Sequence, residues 1–245
     1  IMKKIFLIII LNTLFLHGCS DKDSHMNPHQ SSDVKIAKVY DNDNIYLTQI
    51  ALMRGHLYVG VELYKNGFLD NAKMHMKHPK SELYSDIIPT FKAKGSSGFS
   101  KELEELALAV EEEKDFNLIS LKYKNLTDAI TINESYINES SKSLNEKIVL
   151  VVSLLEIAAE EYAIGIVNNN VENKFEYQDA LGFTVIAKDI LTKSGTKNKD
   201  EEIKKNKTLV VLDSLFKLWP SLIPTGKVEG DSKIILNAIA KINSI

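Results

Sequence analysis

The sequence predicts an all-α protein, a multi-helix bundle of helical hairpins. Three observations carry this. From Asn44 onward the apolar residues recur at helical spacing rather than in alternation. The breaks between apolar segments are short Gly, Pro, Ser and Asn clusters. Ser143 with Glu146, and Asn173 with Glu176, show the polar-x-x-Glu spacing that satisfies the first unpaired amides of a helix. The spacing predicts helices over 44–66, 68–77, 81–94, 100–115, 118–139, 144–168, 174–194, 200–218 and 231–243.

The first two elements are predicted to form a hairpin, because Gly60, Gly67 and Ala72 are small residues where two helices and their turn come close. Residues 56–79 partly resemble a tetratricopeptide repeat, which implies tight packing and no chemistry; no second copy follows at the period of about 34 residues. Pro79 ends the second helix and pushes His78 toward a surface turn. Gly95-Ser96-Ser97-Gly98 is the clearest internal loop, and the run Glu102 to Glu113 beyond it reads as an amphipathic helix with an acidic outer face. Between 115 and 143 the helical pattern weakens. This suggests an N-terminal module over 34–116 and a C-terminal module over 117–245. The helices at 144 and 174 start from their caps, and the last two rest on periodicity alone.

The first residues carry a different signal. Lys3 and Lys4 precede an apolar run, Ile5 to Leu16, too short to span a bilayer as a permanent helix. The tetrad Leu16-His17-Gly18-Cys19 resembles the lipobox of bacterial lipoproteins, with an unusual His at its second position. The resemblance implies a signal peptide over 1–18, diacylation of Cys19, and anchoring on the periplasmic face of a bacterial membrane, Ser20 favouring the outer one. Two acyl chains suffice for stable anchoring. Residues 19–33 then read as a polar, flexible tether. Cys19 is the sole cysteine, so no internal disulfide or cysteine metal site is expected. With 30 basic and 33 acidic residues the chain is mildly acidic, and nucleic acid is not an expected partner.

After the tether, every histidine and methionine lies between 53 and 78: Met53, His56, Met74, His75, Met76 and His78. Met53 and His56 share a helix face, as do Met74 and His78, so hairpin closure would bring the pairs together. Thioether and imidazole ligands suit soft or borderline metals, Cu(I) best for a Met-His-Met run and Zn or Ni through His alone, with Glu62 as a harder ligand. The candidate ligands are thus His56, Glu62, Met74, His75, Met76 and His78. Haem is the weaker alternative. Two other readings stay open: plain packing, since Met fills irregular gaps, and a patch where the fork of Arg54 binds an anion or partner.

Residues 154–187 contain Glu161, Tyr162, Val171, Glu176, Tyr177, Asp179 and Phe183 in ungapped succession. This segment resembles the extracytoplasmic helical region of long bacterial members of the high-affinity iron permease family. Asn169 and Asn170 stand where that family usually has Asp-Gly in its turn. The permease's membrane helices and Arg-Glu-x-x-Glu iron motifs do not occur in this chain, so transport itself is not implied. Glu160, Glu161, Glu176 and Asp179 are hard oxygen ligands of the kind iron accepts, and form a second candidate set. The structural alternative makes Glu176 a cap, Tyr162, Tyr177 and Phe183 a core, and the two glutamates at 160 and 161 a solvated face.

No nucleophile-base-acid arrangement, phosphate loop or His-Glu-x-x-His motif stands out, so enzyme activity is not expected. The sequence points first to a lipid-anchored periplasmic helical protein that binds or hands over a transition metal, copper or iron, beside a metal permease or another envelope protein. The alternative is a non-catalytic envelope scaffold whose helical hairpins dock a protein partner.

Overall fold

The computed structural model describes residues 42–245, apart from residue 225 and the side chain of residue 82. Cys19, the signal peptide over 1–18 and the tether over 19–33 lie outside the described residues. The described chain falls within one compact unit. It contains nine α-helices among the described residues: α1 (Asp43–Lys65), α2 (Leu69–His78), α3 (Tyr84–Lys94), α4 (Ser100–Glu111), α5 (Phe116–Glu134), α6 (Leu144–Gly165), α7 (Lys174–Lys193), α8 (Lys199–Asp213) and α9 (Lys233–Asn243). None of the described helices is long and apolar enough to cross a membrane. The helical bundle agrees with the fold class the sequence predicts.

The caps act as the spacing suggests. Ser143 accepts from the amide of Glu146, and the Asn173 side chain accepts from the amide of Phe175. Helix α1 ends in a Schellman motif: the amide of Phe68 donates to the carbonyl of Leu63, and that of Gly67 to Tyr64, with Gly67 at φ 81°. This tight turn folds α2 back on α1, as expected of the Gly60/Gly67/Ala72 pattern.

Two local expectations are corrected. His78 stays helical (φ −56°, ψ −54°), because the chain passes Pro79 in a π-helical turn, Pro79–Leu83, that continues into α3. The wider turn accommodates the proline ring without the clash it would cause inside an α-helix. Between α6 and α7 the chain forms a two-residue hairpin, Ile166–Val167 against Asn170–Val171. Its turn residues are Asn168 (φ 51°) and Asn169 (φ 62°), not Asn169 and Asn170; both take the left-handed conformation that asparagine tolerates.

Two apolar cores lie side by side. One gathers α6 to α9 around Tyr162, Tyr177, Phe183 and Trp219, and takes in Ala51 and Leu52 of α1. The other holds most of α1 with α2 to α5, including Ile119, Leu126 and Ile130 of α5, and takes in Leu150 of α6. Helix α1 therefore belongs to both. Its start is held by Asp43, which accepts from Lys94 Nζ at 2.5 Å, Asn138 N at 2.8 Å and Ser141 Oγ at 2.6 Å. Burial would raise that carboxyl, but these donors outweigh it and hold Asp43 below its usual range.

Candidate metal centre

Glycines bring the three carrier helices together. At the crossing of α1 and α7, a Cβ on Gly182 would lie 2.5 Å from the carbonyl oxygen of Gly55, and a Cβ on Gly55 would lie 2.5 Å from Phe183 Cδ1. Only glycine on both sides allows this approach. His56 follows Gly55, and Asp179 stands three residues before Gly182, so the crossing sets one against the other. Gly60, one turn beyond His56, lets α2 settle so closely that a Cβ there would be 3.3 Å from His75 Cβ. The hairpin thereby delivers His75 to the same place.

The result is a buried His56, His75 and Asp179 cluster whose donor atoms all lie within 4.8 Å of one another. His56 Nδ1 is 2.6 Å and His75 Nδ1 3.1 Å from Asp179 Oδ1. The His56 ring packs edge-on against Phe183, and the His75 ring against Phe175. Burial by itself would raise the Asp179 carboxyl; His56 and His75 more than offset it and hold the group ionised, well below the usual carboxylate range.

The hydrogen bonds around the cluster fix the tautomer of His75. Gln178, fully buried beside Asp179, donates its Nε2 to the carbonyl of Leu222 at 3.0 Å, so its Oε1 must be the atom 2.9 Å from His75 Nε2. His75 Nε2 therefore carries the proton. Its Nδ1 faces the Asp179 carboxylate, and a cation entering between them would take that nitrogen as a ligand while Nε2 keeps its proton toward Gln178. His56 Nδ1 and Asp179 Oδ1 are both buried and, though 2.6 Å apart, neither has a well-formed hydrogen bond. Such atoms are costly to leave unpaired. A cation held by His56 Nδ1, His75 Nδ1 and Asp179 Oδ1 would give both atoms a partner, and two imidazoles with one carboxylate are the donor set of the non-haem Fe(II) facial triad. Gln178 is the outer hydrogen-bond partner such an imidazole ligand usually has.

The structure thus merges parts of two sets that the sequence presented separately. His78 joins the edge of the cluster, half-buried, with its ring 5.5 Å from that of His56. Glu161, on α6, is buried, Glu176 on α7 is half-buried, and Glu160 is exposed. Burial pushes the Glu161 carboxyl far up, and Glu176 and the charge of Asp179 push it in the same direction.

Other candidates fall elsewhere. Glu62 is six residues from His56 on α1, which turns it to another face, where it lies 3.8 Å from Lys65. Met74 is exposed, and Met76 packs into the groove over Gly60. Successive helical residues diverge by about 100°, so Met74-His75-Met76 cannot converge on one ion. The donors that do meet are nitrogen and oxygen, which removes the soft-ligand basis for Cu(I). Arg54 is not open to an anion: it donates to Glu134 Oε1 at 3.0 Å and Asp189 Oδ2 at 2.6 Å, tying α1 to α5 and α7. Gln178 escaped the sequence reading; its only signal was adjacency to Asp179, since an amide carries no charge or metal-ligand signature.

Fold and site together define an all-α protein with a buried two-histidine, one-aspartate donor cluster at a helix crossing. Residues 138–245 match the family model of the iron permease-associated 4-helix bundle domain. The match contains the whole of segment 154–187 and bears out the resemblance drawn from it; it also spans all four helices from α6 to α9. Asp179, Glu161, Glu176 and Gln178 lie inside the matched span, while His56, His75 and His78 come from helices before it. Comparison with curated proteins and with solved structures finds no match.

Proposed function

We propose that this protein binds a divalent transition metal, iron foremost, through His56 Nδ1, His75 Nδ1 and Asp179, and serves as a non-catalytic accessory that holds or hands over the ion beside a metal permease. One observation carries the reading: two buried imidazole nitrogens lie close to one buried carboxylate oxygen, with His75 Nε2 bonded to Gln178 on the opposite side of its ring. Nitrogen and carboxylate donors suit Fe(II), Mn(II) or Zn(II) better than Cu(I). The match of residues 138–245 to an iron permease-associated domain supports iron among these. The lipobox-like tetrad ending in Cys19 would hold the protein, by its lipid, on the periplasmic face of a bacterial membrane, where a permease takes up its ion.

Convergence of the histidines also weighs against the scaffold alternative, in which they would merely pack. The test is anaerobic calorimetric titration of the purified full chain with Fe(II), with Zn(II) and Cu(I) in parallel. Fe(II) and Zn(II) are expected to bind at micromolar concentration or tighter. Asp179→Ala and His75→Ala should each weaken them by more than about 100-fold, beyond the 10–100-fold typical of an outer-partner loss. Met74→Leu should change nothing. Absence of binding by any of the three metals at micromolar concentration would remove the metal reading and leave a helical docking protein.

A further inference from the structure

The donors of the triad are closed off from solvent: His56, His75 and Asp179 are each no more than 5% exposed. An ion reaches them only if something moves aside. The helices that carry them cannot simply part, since the close contacts at Gly55, Gly60 and Gly182 lock α1 to α7 and to α2. Past His78 the chain runs as continuous helix from α2 through the π-helical turn into α3. Beyond His75 Nε2 and Gln178 it is different. There residues 219–224, between α8 and α9, have neither helical nor strand structure.

This segment is a strap between the two cores. Trp219 is buried in the core of α6 to α9, whereas Leu222 and Ile223 are half-buried and pack on the core of α1 to α5. Among the described residues, none of residues 220–224 makes a backbone–backbone hydrogen bond. Two side chains tie the strap to the helices: Tyr177 donates its hydroxyl to the carbonyl of Ser221 at 2.9 Å, and Gln178 donates Nε2 to that of Leu222 at 3.0 Å. At the base, the Trp219 indole donates to the carbonyl of Tyr177 at 2.9 Å. Every partner is thus Tyr177 or Gln178, the two residues before Asp179, and Gln178 also accepts from His75 Nε2. A segment with so few backbone bonds and buried contacts opens far more readily than the helices around it.

We propose that residues 219–224 are a gate over the metal centre, which lifts from Tyr177 and Gln178 to admit or release the ion. The proposal rests on the reading of His56, His75 and Asp179 as a metal site. Trp219 is the fixed end, and the chain beyond it swings. As the strap lifts, Gln178 loses its acceptor at Leu222 and is free to turn from His75, so the ligand loses its outer partner while the path opens. On closing, the Leu222 carbonyl again fixes which end of the Gln178 amide faces His75. Opening, and not capture by the ligands, then limits exchange of the ion.

Stopped-flow mixing of the metal-free full chain with rising Co(II) or Zn(II) tests this, Co(II) being followed by its own visible absorbance and Zn(II) by an indicator dye for the free ion. The observed rate is expected to level off at a ceiling common to both metals, because the ceiling is the opening rate of the protein. Tyr177→Phe keeps the buried ring and deletes one tie. It should raise the ceiling and the release rate alike by about fivefold, the effect of one neutral hydrogen bond, and leave the affinity unchanged. Leu222→Ala, which keeps the carbonyl but loosens the seat of the strap, should act in the same direction and serves should Tyr177→Phe fold poorly. Rates proportional to metal without a ceiling, ceilings that differ between the metals, or a ceiling unmoved in both variants overturn the gate and leave the site standing. No binding of either metal overturns both.

Discussion

At the scale of single residues, the site is governed by what surrounds each carboxylate. Asp179 and Glu161 are both buried acids, yet they shift in opposite directions: the imidazoles of His56 and His75 hold Asp179 low against its burial, while burial first, and then Glu176, push Glu161 up. The consequence for the metal-free protein has a definite sign. An acid whose folded pKa is raised binds more protons folded than unfolded, so stability falls as pH climbs from the usual carboxylate range toward the raised value. Between pH 5 and 8 the metal-free chain should lose stability with a slope approaching about 1.4 kcal/mol per pH unit from this one group. Glu161→Gln should lack that component. Denaturant unfolding at successive pH values measures it, and a slope unchanged in the variant would deny that Glu161 is protonated. His56, His75 and Asp179 all drew notice in the sequence, because residue types that bind metals are few and visible. Their partnership was not visible, since the aspartate lies more than a hundred positions from either histidine.

At the scale of elements, the decisive feature is the crossing of α1 and α7. The contact at Gly182 is with the backbone of Gly55, which has no flexible end to move aside. Gly182→Ala should therefore cost about 1–3 kcal/mol of stability, the usual range for overpacking. By parting His56 from Asp179 it should also weaken metal binding more than a comparably destabilising change elsewhere. Gly195→Ala, where a Cβ meets nothing within 4 Å, is the control. Unfolding curves and metal titrations of the two variants decide the point; equal affinities would show that the crossing does not set the site. The succession of helices, two caps and the first hairpin were legible because they depend on residues within a turn or two of each other, whereas the expected ends at 139, 168 and 218 ran past the helices, which stop at Glu134, Gly165 and Asp213. The π-helical passage through Pro79 was not: proline disfavours a preceding helical residue locally, but packing of α2 and α3 against α1 and α4 outweighs that preference here.

For the molecule as a whole, the site spans a sequence boundary. Residues 138–245 match the iron permease-associated domain and supply the carboxylates, whereas both histidines of the triad come from the hairpin before it. The isolated 138–245 polypeptide is expected to bind Fe(II) at least about 100-fold more weakly than the full chain, because removing both imidazoles leaves one carboxylate of the triad. Mixing the two and measuring bound iron separately would check this; equal affinity would place the ion within the matched span without either histidine. Arg54 points the same way, joining α1 to α5 and α7 through Glu134 and Asp189, so the hairpin is held to the matched span by more than apolar contact.

By itself the sequence determined the all-α class, the succession of helices, their caps and the kinship of the acidic aromatic segment, because each is written in spacings of a few residues. Only the tertiary structure decided which candidate donors meet. A helix presents each side chain in one direction, and the direction that matters is set by where another helix crosses it. Gly60 marked the hairpin in the sequence, but the crossing with α7 depends on Gly55 and Gly182, residues whose contribution is an absence of side chain and which carry no chemical mark in the sequence. The same geometry brought His56 and His75 to Asp179, turned Met74 to solvent, and closed Arg54 between two carboxylates.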